Sequence, residues 1–231
     1  GPPLEGAICN VDPGNDTMLL LGDVMLPSGI LEAGQILVEG GIITCAGCEC
    51  ADLPEAEGAT RVTCPQGLIS PGLINAHDHI SFTEMYPAQH GTERYDHRHE
   101  WRKGLNGKTK LPAFGNSHAL GDAYGEMRQV MAGTTSLFGS GGEDGFLRNL
   151  DKSYLLEGLI HADAYYSTFP LGDSSGFMSD SGCSGYDFDN LDSAFEDAAY
   201  GPHVAEGINT AAHNEFLCLS GLEGAGVDAV F

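Results

Sequence analysis

Leu68-Ile-Ser-Pro-Gly-Leu-Ile-Asn-Ala-His-Asp-His-Ile80 decides how the rest of the chain is read. Its apolar run would make a buried strand, and it ends in His77 and His79, one residue apart. Side chains at i and i+2 of a strand project to the same side, so both imidazoles converge on one point just past the strand. Neutral imidazole is a common ligand of zinc and similar divalent ions. Pro71-Gly72 sets a turn or kink ahead of the strand. A bare His-x-His is most often a pair of histidines capping a strand end, so the surroundings have to carry the functional reading.

Downstream, residues 119–132 read as a helix with Leu120, Tyr124, Met127 and Met131 near one face, stopped by Gly133. Thr134–Phe138 then reads as a second strand. Residues 146–158 read as a further helix and 159–169 as a third strand, with His161 near its start as a structural histidine. Residues 170–190 are rich in Gly, Ser and Asp, with a short fourth strand expected near Tyr186–Phe188. A helix is expected over Leu191–Tyr200, a fifth strand within Gly201-Pro-His-Val-Ala-Glu-Gly-Ile208, a helix over Ile208–Leu222, and a sixth strand starting at Val227–Phe231. Gly139-Ser-Gly-Gly-Glu-Asp-Gly145 lacks the Lys-Ser/Thr ending of a phosphate-binding P-loop and reads as a flexible connection.

Upstream, residues 1–16 read as a linker or arm, and 17–67 as a small β domain. Its candidate strands are Met18–Leu21, Val24–Leu26, Gln35–Val38 and Ile42–Cys45, with Gly40-Gly41 as a hairpin turn. Acidic residues outnumber basic ones 33 to 10, a net charge of −23, which argues against nucleic-acid or anionic-membrane partners. No run approaches the roughly 20 apolar residues of a membrane span. Seven cysteines are present. Cys45, Cys48, Cys50 and Cys64 cluster as a disulfide or thiol group; a structural zinc site is disfavoured because the second Cys-x-x-Cys knuckle is missing. Disulfides place the chain in an exported or cell-envelope setting ahead of the cytoplasm.

Three stretches carry a family resemblance. Ser70-Pro-Gly-Leu-Ile-Asn-Ala-His-Asp-His79 resembles the first barrel strand of the amidohydrolase superfamily of metal-dependent hydrolases and deaminases. Met131-Ala-Gly-Thr-Thr-Ser136 is similar to the junction that follows that strand in the family. His203-x-x-Glu206 resembles the fifth-strand motif of the deaminase and chlorohydrolase branches, and Ile36-Leu-Val-Glu-Gly-Gly-Ile-Ile43 resembles a hairpin of the small domain that precedes the barrel. The fold implied is α/β: a (β/α)8 TIM-type barrel, of which residues 68–231 hold about the first five to six strands, after a small β-sandwich domain at 17–67.

The function implied is hydrolysis by a metal-activated water at a C–N bond of an amide, cyclic amide or deaminated ring carbon of a small-molecule substrate. His77, His79 and His203 would hold one divalent ion, zinc ahead of iron, and Glu206 would shuttle a proton. No good counterpart of the bridging lysine exists, since Lys152 precedes the third strand, which favours one metal over two. The family's sixth-strand His and eighth-strand Asp also have no counterpart. A half-closed barrel would expose sheet edges, so a complementary C-terminal polypeptide or a second copy is expected to complete it, giving an oligomer.

The long segment 81–118 would lie over the barrel mouth. Within it Arg94, His97, His99 and Trp101 are candidate lid or substrate-binding residues; His97-x-His99 as a second metal pair is disfavoured because no strand precedes it. The competing readings are a non-catalytic binding or assembly protein on a partial barrel scaffold, and a metal-storage or sensing role centred on the cysteine cluster.

Overall fold

Glycine and proline punctuation in the first 72 residues turns apolar runs into hairpins. In the computed structural model, which describes residues 9–160, 163–188 and 199–221, the chain falls into two units, residues 1–72 and 73–231. In the first, Pro27-Ser28 joins β2 (Asn15–Leu26) to β3 (Gly29–Glu39), and Gly40-Gly41 joins β3 to β4 (Ile42–Gly47). Gly40 and Gly41 take φ of 57° and 80°, the left-handed pair that a two-residue hairpin turn requires. With β1 (Asn10–Asp12) and β5 (Ala59–Ile69) they form one sheet in the order β1-β5-β2-β3-β4, in which only β2 and β5 run parallel. The two strand candidates around Gly22 are a single strand with a bulge between Gly22 and Val24.

Among the described residues this unit holds one five-stranded sheet, where two facing sheets were expected. Its buried cluster is small: Leu19, Leu37, Cys50, Ala56 and Ala59. Two disulfides reinforce it, Cys9–Cys64 and Cys45–Cys50, and Cys48 is an exposed free thiol. The four-cysteine cluster thus divides among two bonds and one free thiol, with Cys9 as a partner that spacing did not reveal.

The second unit is mixed α/β. β6 (Leu73–Asn75), β7 (Thr134–Leu137) and β8 (Arg148–Asn149) form a parallel three-stranded sheet, and β9 (Tyr165–Ser167) pairs in parallel with β10 (Tyr200–Pro202). No closed barrel is present among the described residues; the strands are two to four residues long. Among the described residues the α-helices are α1 (Arg98–Lys103), α2 (Gly121–Met131) and α3 (Thr210–Leu219), the last capped by the Asn209 side chain accepting from Ala212 N. Leu137, Ile80 and Leu147 form one buried cluster, and Leu171, Tyr186, Cys218 and Leu219 another, tied by the Cys183–Cys218 disulfide.

Several expectations are corrected here. Residues 146–158 form β8 and turns rather than a helix, because Asp151 accepts from the backbone N–H groups of Gly139 and Ser140 and Asn149 N donates to Leu155 O. On α2 the expected inner face is outside: Leu120, Tyr124, Met127 and Met131 are exposed, while Gly121, Gly125 and Glu126 are buried. A Cβ on Gly125 would strike Thr83, so the glycine side is the one that packs closely. Tyr186 makes only an isolated bridge with Ser184, and β9 is shorter than the expected third strand. His161, nearly all of the expected helix at 191–200 and the expected sixth strand lie outside the described residues; Tyr200 opens β10.

Candidate metal centre

β6 ends at Asn75, yet the chain stays in register with β7 for several residues more. Asp78 N donates to Phe138 O and Ile80 N to Gly139 O, both at 3.0 Å. Asp78 is turned toward α2, where its Oδ2 accepts from Asn75 Nδ2 (2.9 Å) and Gln129 Nε2 (2.8 Å) while its Oδ1 accepts from His79 N (2.7 Å). Asn75 Oδ1 accepts from His77 N at 3.2 Å. These bonds fix the backbone on both sides of the two histidines. His203 follows β10 directly and continues its pairing, with His203 N donating to Ser167 O at 2.9 Å.

The three rings meet. His77 Nε2 lies 3.1 Å from His79 Nε2, which lies 3.3 Å from His203 Nε2; the ring centroids of His77 and His203 are 4.8 Å apart. His203 Nδ1 is 3.3 Å from Ser167 O and donates to it, leaving Nε2 as the ring's lone-pair nitrogen. Removal from water and the neighbouring His77 lower the pKa of His79 below the ordinary histidine value, against opposing pulls from Glu206 and Asp78. Burial likewise lowers His203, with Glu206 opposing. Both are therefore neutral near pH 7, the state in which imidazole binds a metal.

This donor set suits a divalent ion. Four-coordinate zinc with Zn–N of about 2.0–2.1 Å spaces its ligand nitrogens by about 3.3 Å, the spacing seen here. Mutual hydrogen bonding explains less of it, because one ring proton cannot lie on two Nε2···Nε2 lines at once. The Ser167 carbonyl that accepts from His203 Nδ1 is of the kind that orients metal-bound imidazoles. A small open cleft surrounds the three rings, lined also by Asp78, Phe138, Gly139, Ser140, Tyr166 and Gly201. Ser140 takes φ of 54°, unusual for a residue with a side chain, and its Oγ is 2.6 Å from Tyr166 Oη.

Glu206, three residues past His203, is partly exposed and its Oε2 accepts from Arg98 Nη1 at 2.9 Å. Neither Glu206 nor any of Arg94, His97, His99 and Trp101 lines the cleft. Arg94 is exposed and Trp101 half-buried. His97 and His99, expected as substrate contacts, are 1% and 0% exposed. His97 Nδ1 accepts from His99 N, and its Nε2 donates to Glu215 Oε1 at 2.8 Å; His99 Nε2 donates to Asp173 Oδ2 at 2.7 Å. His97, His99 and Glu215 form a second grouping of donor atoms, but these short contacts already satisfy it as a buried hydrogen-bond network. Burial alone would raise the Asp173 carboxyl; the bond from His99 and the charge of Arg98 outweigh it and hold it down.

The supporting residues Asn75, Asp78, Gln129, Ser140 and Tyr166 were not singled out from sequence, although Asn75 and Asp78 lie inside the histidine motif itself. Arg98, between His97 and His99, was overlooked for its more conspicuous neighbours.

No family model matches the sequence, and no curated protein does. Solved structures of hydrolases resemble it loosely. A prolidase complexed with N-methylphosphonate-L-proline is 17% identical, with a TM-score of 0.38 over 90% of this chain and 45% of its own. A triazine hydrolase from Arthobacter aurescens is 18% identical, with a TM-score of 0.38 over 71% of this chain and 38% of its own. An amidohydrolase is 19% identical, with a TM-score of 0.27 over 73% and 38%. This chain spans less than half the length of each.

Proposed function

We propose that this chain carries the metal-binding part of a hydrolase of the amidohydrolase type, acting on a C–N bond of a small molecule. The observation that supports it most is the convergence of His77, His79 and His203, with His79 Nε2 3.1 and 3.3 Å from the Nε2 atoms of His77 and His203, on the motifs that resemble that superfamily. His77, His79 and His203 hold one divalent ion, zinc ahead of iron. When bound, such an ion supplies Lewis acidity and brings the pKa of water down to about 7. Glu206 would take up a proton that the attacking water gives up and deliver it to the leaving nitrogen as the C–N bond breaks. The cleft wall at Ser140 and Tyr166 offers hydroxyl groups to a polar substrate.

The remaining ligand and the base for the attacking water come from a complementary polypeptide segment or a second copy. In support, Leu73 and Ile74 on β6 are 60% and 67% exposed, an unusual state for a strand of a parallel sheet. Elemental analysis tests the reading. The chain should carry about one equivalent of divalent metal, lost in His77→Ala and His203→Ala and kept in Glu206→Gln. Unchanged metal content in His77→Ala would sink it.

A further inference from the structure

Arg98 is 3% exposed and stands at the start of α1, yet its hydrogen bonds reach Thr168 beyond β9 and His203 and Glu206 beyond β10, besides Asp173. Its Nη1 lies 2.8 Å from Thr168 O, 2.9 Å from His203 O and 2.9 Å from Glu206 Oε2. Its backbone N donates to Glu206 O at 2.8 Å, and its Nη2 donates to Asp173 Oδ2 at 2.5 Å. Balancing the buried Asp173 carboxylate would explain the Nη2 contact alone. The Nη1 contacts converge instead on the loop that carries His203 and Glu206.

That loop does not hold its shape unaided. Ala205 takes φ of 58°, a left-handed conformation costly for a residue with a Cβ. Such strain persists only where the surroundings over-determine it. Here Ala205 N donates to Glu215 Oε2 (3.1 Å), Gly207 bridges His97, and Ile208 N donates to Asp96 O (2.9 Å). A Cβ on Gly207 would meet Asp96 O and His97 Cα, so the two segments lie backbone against backbone.

We propose that Arg98 is a positioning residue that locks His203 and Glu206 into one rigid body, so that the metal ligand and the proton-carrying carboxylate keep a fixed relation. The inference rests on the metal-centre reading above. A planar guanidinium is suited to this because it presents several donors in a rigid fork, which lysine cannot reproduce. Coupling between two sites is reciprocal, so metal bound at His203 must in turn tighten the Arg98 contacts.

Cobalt(II) titration of the full chain, followed by visible absorption, tests this without a known substrate. Arg98→Lys should bind cobalt about 10- to 100-fold more weakly, as expected when the hydrogen bonds that orient a ligand's backbone are lost. Its absorption bands should shift, and Arg98→Met should depart further than Arg98→Lys. Wild-type affinity and spectrum in both variants overturn the role of Arg98 and leave the metal centre standing. Absence of cobalt binding in the wild type overturns the metal centre itself. If neither variant folds, solvent exchange of the Arg98 guanidinium protons in the wild type decides: zinc loading should slow it about tenfold or more, and an unchanged rate overturns the proposal.

Discussion

Glu84 accepts from Ser117 N (2.8 Å), Ser117 Oγ (3.0 Å), His118 N (3.2 Å) and His118 Nδ1 (2.7 Å). The Ser117 backbone bond leads the set, and together they outweigh burial and hold the carboxyl at about 2, against an ordinary 4.5. A depressed carboxyl contributes stability above its unfolded value and loses it as pH falls through the folded one. Glu84→Gln should therefore lower the thermal midpoint at pH 7, with the gap to wild type closing between pH 4.5 and about 2. A gap that does not shrink between pH 4.5 and about 2 would contradict this account. The three histidines that the fold brings together, and Glu206 beside them, could be picked out at this scale because they sit in short motifs: His77 and His79 two apart, His203 and Glu206 three apart. Arg98 was not, since the acceptors of its guanidinium lie 70 to 108 positions away in sequence.

At the scale of elements, the hairpins of the first unit and the strands and helices flanking Gly133 could be read because glycine and period agree there. The stretch 146–158 misleads: Phe146, Leu150 and Tyr154 recur at helical spacing, but polar side chains draw the backbone elsewhere. Glu126, buried in α2, accepts from Gly142 N (2.8 Å), Glu143 N (3.0 Å) and Asn149 Nδ2 (3.2 Å), binding that region to the helix. Such long-range satisfaction of polar groups is invisible to a periodicity argument. β10 makes a sharper prediction. A Cβ on Gly201 would fall on the Phe138 ring, so Gly201→Ala must push apart two walls of the cleft. Overpacking of this kind costs about 1–3 kcal/mol. Denaturant unfolding should show that loss, and metal content should fall with it; a variant as stable and as metal-rich as wild type would show that the wall yields freely.

For the whole molecule, composition foresaw disulfides but could not assign their partners, because seven cysteines allow many pairings and only folding brings Cys9 to Cys64 and Cys183 to Cys218. Cys183–Cys218 spans 35 positions, and its loss through a Cys183→Ser, Cys218→Ser double variant should cost about 2–4 kcal/mol in denaturant unfolding. Unfolding free energy unchanged by that variant would mean the bond adds nothing. This bond also bears on bench practice. Cys218 lies on α3, the helix from which Glu215 holds Ala205 between His203 and Glu206. Dithiothreitol added to a purification buffer would cut that staple and, as a dithiol, compete for zinc as well. A preparation made in such a buffer and found empty of metal would describe the buffer, and the protein should be isolated free of thiols and chelators before any metal is counted.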